Sequence, residues 1–352
     1  MPGPLRQDFT SDNISGASPE VLAALGAANA GTVASYGADP FSEALTRRAA
    51  EVFERPLEIL PVATGTAANA LALSVLARPF EAIYCHTAAH VMTDECGAPE
   101  FYTGGAKLLG LPSPDGRLLP AQLADAVAFA RGMGVHHVQP AAVTVSQASE
   151  WGTVYGLAEL RALTAVAHGL GLRVHMDGAR FANAVAALGC SAADASWRAG
   201  VDVLSFGASK NGALAAEAVV VFEPSLAAEL AFRRKRSGHL WSKMRFLSAQ
   251  LLAYLENDLW LANARHANAM AQRLAAGLAT VAGARLALPV EANEIFVALP
   301  AAVTAALREQ GFHFYDWPAP PGVDGAVVRL VTSYDVAAAE VDALLAAAHR
   351  AA

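Results

Sequence analysis

Asp202-Val203-Leu204-Ser205-Phe206-Gly207-Ala208-Ser209-Lys210-Asn211-Gly212 is the stretch whose reading decides the fold. Val201 to Phe206, interrupted only by Asp202 and Ser205, has the length and apolar content of a short buried strand. Gly207 and Gly212 bracket a turn that holds Lys210 behind a small serine, and a second apolar run, Ala218 to Phe222, follows. Lysines usually stand on charged helix faces. This one is held between two buried strands, among small residues that let a ligand come close. Desolvation lowers a lysine's pKa and frees the amine as a nucleophile. Such an amine forms Schiff bases with carbonyl compounds, pyridoxal phosphate (PLP) among them. Alone, the stretch is equally a hairpin turn with a surface lysine.

A second stretch, Leu172-Arg173-Val174-His175-Met176-Asp177-Gly178-Ala179-Arg180, tips the balance. Leu172 to Met176 reads as another buried strand. Asp177 stands at its carboxyl end, where α/β sheets bind ligands. PLP needs an anionic partner for its pyridinium nitrogen, which keeps the ring an electron sink, and Asp177 suits that role. Arg180 could reach the cofactor's phenolate oxygen or a substrate carboxylate. The plainer reading of Asp177 is a helix N-cap.

These two stretches resemble the threonine aldolase family, PLP enzymes of the aspartate-aminotransferase-like fold (fold type I). The resemblance runs from about Ser11 to the C-terminus. It includes Tyr36-Gly37-Ala38-Asp39-Pro40, Thr64-Gly65-Thr66-Ala67-Ala68-Asn69, Ala89-His90, Asp94-Glu95-Cys96-Gly97-Ala98 and Arg329-Leu330-Val331-Thr332. It implies an α/β fold: an N-terminal arm (1–18), a PLP-binding large domain with a mainly parallel sheet (19–250) and a smaller α+β C-terminal domain (251–352). The implied activity is cleavage of L-threonine, L-allo-threonine or another L-3-hydroxy-2-amino acid, phenylserine included, to glycine and an aldehyde. The implied catalytic residues are Lys210, His90 and Asp177. Gly65, Thr66, His90, Asp177, Arg180 and Arg245 would touch the cofactor; Ser11, Tyr36, Arg180 and Arg329 would touch the substrate. A homo-oligomer, a dimer of dimers with sites at the subunit interface, is implied as well. The alternative is another fold type I enzyme, an aminotransferase or a β-eliminating lyase.

Composition fits an enzyme with a large core. The 352 residues are 54% hydrophobic and 16% charged, enough for one large and one smaller domain. No apolar run reaches the roughly 18 residues of a membrane helix, and no signal sequence opens the chain. A net charge of −7 argues against nucleic acid as a partner. Cys85, Cys96 and Cys190 form no CxxC pair, as expected of reduced thiols in a cytoplasm.

Further motifs carry separate expectations. Thr64-Gly65-Thr66 follows a strand (Glu58 to Val62) and opens a helix to about Leu76; free N–H groups at such a terminus hold phosphate. His90, in the loop after a strand at Ala82 to Cys85, is open to two roles. It could stack on the pyridine ring, or act as base on a substrate hydroxyl. Many threonine aldolases carry a histidine in the loop matching Gln147-Ala148-Ser149-Glu150-Trp151-Gly152; this chain has none. Gln147 or Ser149 could make that contact, or His90 and water could move the proton unaided. His136 and His137, placed at the start of a strand, would point to opposite faces, so no metal is expected. Ser18 suits the cap of a helix from Pro19 to about Ala30. Ser225 to Ser237 and Met244 to about Leu274 read as helices, with Met244-Arg245 the remnant of a family loop that reaches a neighbouring subunit's phosphate site.

Overall fold

The computed structural model describes residues 6–320 and 322–352; residues 1–5 of the expected arm lie outside it. Ser11 caps a 3₁₀ turn at Asp12–Ile14. Helix α1 (Pro19–Ala28) starts on a proline, which lacks only an N–H that would be unpaired there. Ser18 holds the N-cap position without capping: its hydroxyl accepts from Asn263 Nδ2 at 3.1 Å, and its N–H donates to Gly212 O. The expected cap is thus spent on tying the chain to the Lys210 turn. Asp39 caps α2 (Pro40–Val52) by accepting from the Ser42 N–H at 3.0 Å.

The large sheet begins with β1 (Glu58–Val62), followed by α3 (Gly65–Ser74) and β2 (Glu81–His86). Short helices α4 (His90–Thr93) and α5 (Ala98–Thr103) lead to β3 (Lys107–Leu111), an edge strand. Then α6 (Pro120–Gly132), β4 (Gln139–Ser146), α7 (Leu157–Gly169), β5 (Arg173–Gly178) and α8 (Phe181–Leu188) alternate. Strand β6 (Val203–Phe206) and β7 (Glu217–Val221) complete the sheet. His136 lies in a 3₁₀ turn and β4 starts at Gln139, so neither histidine begins a strand. The order is β1-β7-β6-β5-β4-β2-β3, parallel from β6 to β3. Strand β7 is antiparallel because a short loop holding one 3₁₀ turn (Ser209–Asn211), not a crossover helix, joins it to β6.

Both faces are covered, so strand residues alternate between two apolar layers rather than between core and water. Val203, Val219 and Val221 meet Ala68 and Leu71 of α3. Leu204, Phe206 and Val220 face the opposite layer, with Phe53, Phe181 and Tyr254.

Helix α9 (Ala227–Arg236) leads to α10 (Arg245–Leu255) and α11 (Leu259–Leu278). The single helix expected over 244–274 is broken, because Asn257 and Asp258 take φ of 52° and 54°, left-handed values that Asn and Asp tolerate best. The small sheet holds β8 (Arg285–Leu286), β9 (Glu294–Ala298), β10 (Tyr315–Trp317) and β11 (Val327–Val331), all antiparallel, with α12 (Ala301–Glu309) and α13 (Ala338–Ala351) packed on it. Helix α11 serves both cores: Trp260 and Ala264 pack in the large one, Ala271 and Leu274 in the small one. Phe9, from the N-terminal arm, is buried in the small core. No described helix is long and apolar enough to cross a membrane.

Candidate active site

The carboxyl ends of β5 and β6, the start of β7 and the N-terminal turn of α3 converge on one cavity of about 200 Å³. Gly65, Thr66, His90, Asp177 and Lys210 line it. Lys210 sits in a 3₁₀ turn (Ser209–Asn211) between β6 and β7, as its flanking apolar runs suggest. Two glycines permit that turn. A Cβ on Gly207 would lie 2.7 Å from backbone atoms of Ala179; Gly212 takes φ +109°, and a Cβ there would strike Ser18 Oγ. Glu217, the first residue of β7, accepts the Ala208 N–H at 2.8 Å and the Ser209 N–H at 3.3 Å, pinning the turn just before the lysine. Burial pushes the Glu217 carboxyl up to about 7.

Asp177 is 6% exposed. Its Oδ1 accepts from the Ala179 N–H at 3.0 Å and its Oδ2 from Asn69 Nδ2 at 2.8 Å. No cation pairs with it among the described residues. A buried carboxylate held by neutral donors only is a place for a cationic N–H, and a pyridinium has one. Asn69 Nδ2 also donates to Glu95 Oε1 at 2.7 Å, and Glu95 Oε1 lies 2.8 Å from His90 Nδ1. That bond to Glu95 holds the His90 pKa above its ordinary value, against the effect of burial. His90 opens α4 rather than ending a loop. At α3, Thr64 Oγ1 caps the Ala67 N–H at 3.1 Å, leaving the N–H groups of Gly65 and Thr66 without intrahelical acceptors. A lysine, a carboxylate held by neutral donors and a helix N-terminus therefore surround one space, a set of groups whose chemistry fits PLP.

Lys210 and His90 also line a second chamber, of about 760 Å³. Its polar wall is an ion-pair cluster that the sequence showed only in part. Arg180 donates Nε to Asp12 Oδ2 at 2.8 Å and Nη2 to Asp12 Oδ1 at 3.0 Å; its Nη1 is 3.2 Å from Glu294. Burial pushes Asp12 up, but the charges of Arg180 and Lys210 override it and hold Asp12 below the usual carboxylate range. Arg329 donates Nη2 to Thr10 O at 3.0 Å, lies 3.7 Å from Glu294 and stacks over Trp317 at 4.2 Å; its Nε is buried without a partner. Ser11 lines the same chamber, its hydroxyl accepting the Asn13 N–H at 3.1 Å. Trp151, Tyr315 and Trp317 supply an apolar wall.

Two expected contacts lie elsewhere. Tyr36 is 49% exposed under the Lys235 ammonium, and Arg245 reaches Gly31 O at 3.3 Å on the surface; neither lines a cavity with Lys210. Gln147 and Ser149 are fully buried, bonded to Tyr155 and Thr153, and do not line the chamber. Glu150, given no role from sequence, does line it. Its position in the loop four residues past the carboxyl end of the parallel strand β4 was the available signal. Asp12 and Glu294 carried no such mark.

A family model for β-eliminating lyases matches residues 8–302. The low specificity L-threonine aldolase of Pseudomonas sp. is 44% identical over 340 residues, 97% of this chain and 96% of that one. The chain belongs to the threonine aldolase family of PLP-dependent lyases. The low specificity L-threonine aldolase of Pseudomonas aeruginosa is 45% identical over 329 residues, 94% of this chain and 93% of that one. Among solved structures, the threonine aldolase of Leishmania major superposes with a TM-score of 0.91 at 30% identity, covering 99% of both chains. The fold type I architecture expected from sequence is therefore the family's own, and the larger, mostly parallel sheet carries the candidate site.

Proposed function

We infer that this threonine aldolase family member cleaves L-3-hydroxy-2-amino acids, L-threonine and L-allo-threonine among them, to glycine and an aldehyde. The carrying observation is Lys210 and Asp177, both without ionic partners among the described residues, lining one cavity, with Lys210 also lining a chamber that Arg329 borders with an unpartnered Nε. PLP, when bound, supplies a carbonyl for the amino group and an electron-poor ring that takes up the pair released at Cα. Lys210 would hold its carbonyl carbon, Asp177 its ring nitrogen, and the first N–H groups of α3 with Thr66 its phosphate. The ring of His90 would stack on its face.

Arg329 has a free Nε and a planar fork, which suits a substrate carboxylate. Arg180 is already paired by Asp12 and Glu294, so its part is to hold positive charge beside Arg329 and Ser11 rather than to clamp alone. Clamping the carboxylate fixes rotation about Cα and so decides which bond lies perpendicular to the ring. Trp151 and Trp317 line the chamber's apolar side, which has room for an aryl group such as that of phenylserine.

The reading includes a dimer of dimers. Tyr36 and Arg245 stand outward, where a second subunit's site could use them, and Phe101 and Phe232 are 82% and 79% exposed. Three free cysteines suit the cytoplasm. The test is aldehyde release from L-threonine, L-allo-threonine and L-phenylserine with PLP, against a Lys210→Ala control. Release that depends on Lys210 supports the reading. Pyruvate and ammonia from serine, or pyridoxamine phosphate from an amino donor, in place of aldehyde would overturn it in favour of elimination or transamination.

A further inference from the structure

The β4–α7 loop has no histidine, and its Gln147 and Ser149 face away from the chamber, so the proton on the β-hydroxyl needs another acceptor. Three carboxylates border the chamber: Asp94, Glu150 and Glu294. Glu294 lies 3.2 Å from Arg180 and 3.7 Å from Arg329, so its charge is committed to the arginines. Asp94 is solvent-exposed and accepts from the hydroxyl of its neighbour Thr93 at 2.8 Å. Glu150 differs. Its Oε1 accepts two hydrogen bonds, from the His90 N–H at 2.8 Å and from Ser146 Oγ at 2.5 Å. Its Oε2 is buried and accepts none. One oxygen fixes the carboxyl group and the other is left for a donor that the protein does not supply. The two donors that fix it belong to the end of β4 and to the first residue of α4, which also presents the His90 ring to both cavities.

We propose that Glu150 is the base that takes the β-hydroxyl proton when the Cα–Cβ bond breaks, acting through Oε2. This rests on the aldolase reading above and names the residue that completes it. The hydroxyl O–H bond breaks and its proton passes to Oε2. The oxygen's pair becomes the second bond of the aldehyde carbonyl as the Cα–Cβ bond opens, and the Cα–Cβ pair stays on Cα. One proton leaves the hydroxyl and one is delivered to Cα, so glycine and the aldehyde form with no net proton change.

Charge around the site is consistent with this division of labour. His90 is engaged through Nδ1 by Glu95, a bond that raises its pKa, and its ring lines both cavities, which leaves it the cofactor-facing role. Burial, with the nearby Asp177 charge, pushes Glu150 up to about 7, where one group can both accept and give a proton. The other charged or titratable groups that Glu150 couples to are Arg180, Cys85 and Tyr155; Cys85 and Tyr155 are themselves pushed up by burial and stay neutral near pH 7.

The test compares two reactions of the holoenzyme. Cleavage of L-threonine requires removal of a hydroxyl proton; exchange of glycine's α-proton with deuterated water does not, because glycine has no hydroxyl. In Glu150→Gln, cleavage is expected to fall about 10²–10⁴-fold while glycine exchange stays within about threefold of wild type. Glu150→Asp, which keeps a carboxylate set back by one methylene, is expected to recover part of the loss. The acid limb of the kcat profile should flatten in the glutamine variant. Cleavage by Glu150→Gln within about threefold of wild type overturns the assignment. A parallel fall of cleavage and exchange overturns it too, since that marks a structural role. A wild-type enzyme that exchanges glycine but releases no aldehyde refutes the aldolase reading itself, and the assignment with it.

Discussion

Replacing Gly207 by alanine tests how the sheet holds the two halves of the cofactor site together. The end of β6 passes so close to the end of β5 that an added Cβ would lie 2.7 Å from the carbonyl carbon and Cα of Ala179, and closer still to its oxygen. Ordinary contact begins at 3.4 Å, and the obstructing atoms are backbone, so no rotamer change relieves the clash. The two strand ends must part by about 0.7 Å or more, an overpacking that destabilises by about 1–3 kcal/mol. The displacement also reaches the chemistry. Ala179 donates its N–H to Asp177 Oδ1, and Gly207 donates to Gly178 O at 3.0 Å, so parting the strands loosens Asp177 relative to Lys210. If about 1.4–2.8 kcal/mol of that strain falls on the bound state, PLP affinity drops about 10–100-fold. Urea unfolding of the cofactor-free protein and spectroscopic titration with PLP measure the two effects separately. Gly26→Ala, inside α1 with nothing within 4 Å of the new Cβ, is the control and should gain about 0.4–1 kcal/mol. A Gly207→Ala protein within about 0.5 kcal/mol of wild type, with unchanged PLP affinity, would refute the close-approach reasoning.

Arg329→Ala removes the unpartnered Nε and the fork beside it; two charge-assisted hydrogen bonds lost at about 1.5–3 kcal/mol each should lower kcat/KM for L-threonine by at least about 10²-fold. Arg329→Lys keeps the charge but not the fork, and should recover only part, as steady-state kinetics would show. His175 is fully buried between Thr144 Oγ1 at 2.7 Å and Ser205 Oγ at 2.9 Å, and burial lowers its pKa to about 4. The unfolded chain binds that proton more readily, so stability rises with pH: the contribution is complete above about 6.5 and is lost as pH falls toward 4, by at most about 3 kcal/mol. Urea midpoints at pH 7 and pH 5 should therefore differ, and His175→Gln should narrow the difference.

Much of the fold is legible because its strands are short apolar runs between glycine and acidic punctuation. The Lys210 turn, the Asp177 strand end and the Thr64 cap of α3 are local patterns, each complete within about ten residues, and local patterns survive in sequence. Edge strand β3 is less legible: Lys107–Leu111 includes Gly110, and its second neighbour is water rather than another strand. The break between α10 and α11 is hidden because Asn257 and Asp258 are also tolerated inside a helix. The arginine cluster is legible only as Arg180 and Arg329; their acidic partners Asp12 and Glu294 are not. Asp12, Arg180, Glu294 and Arg329 come from the N-terminal arm, the end of β5, and two strands of the small sheet, and only folding makes them neighbours. Ser18 shows the converse: the right residue for a cap, it is taken by the Lys210 turn.

The most direct measurement is borohydride reduction of the protein with PLP, followed by peptide mass spectrometry. The chain has four lysines, Lys107, Lys210, Lys235 and Lys243. One reduced PLP adduct on Lys210, weakened in Asp177→Ala, is the expected result. A label on Lys107, Lys235 or Lys243 in its place, or no label with PLP in excess, would contradict the assignment of this cavity to the cofactor.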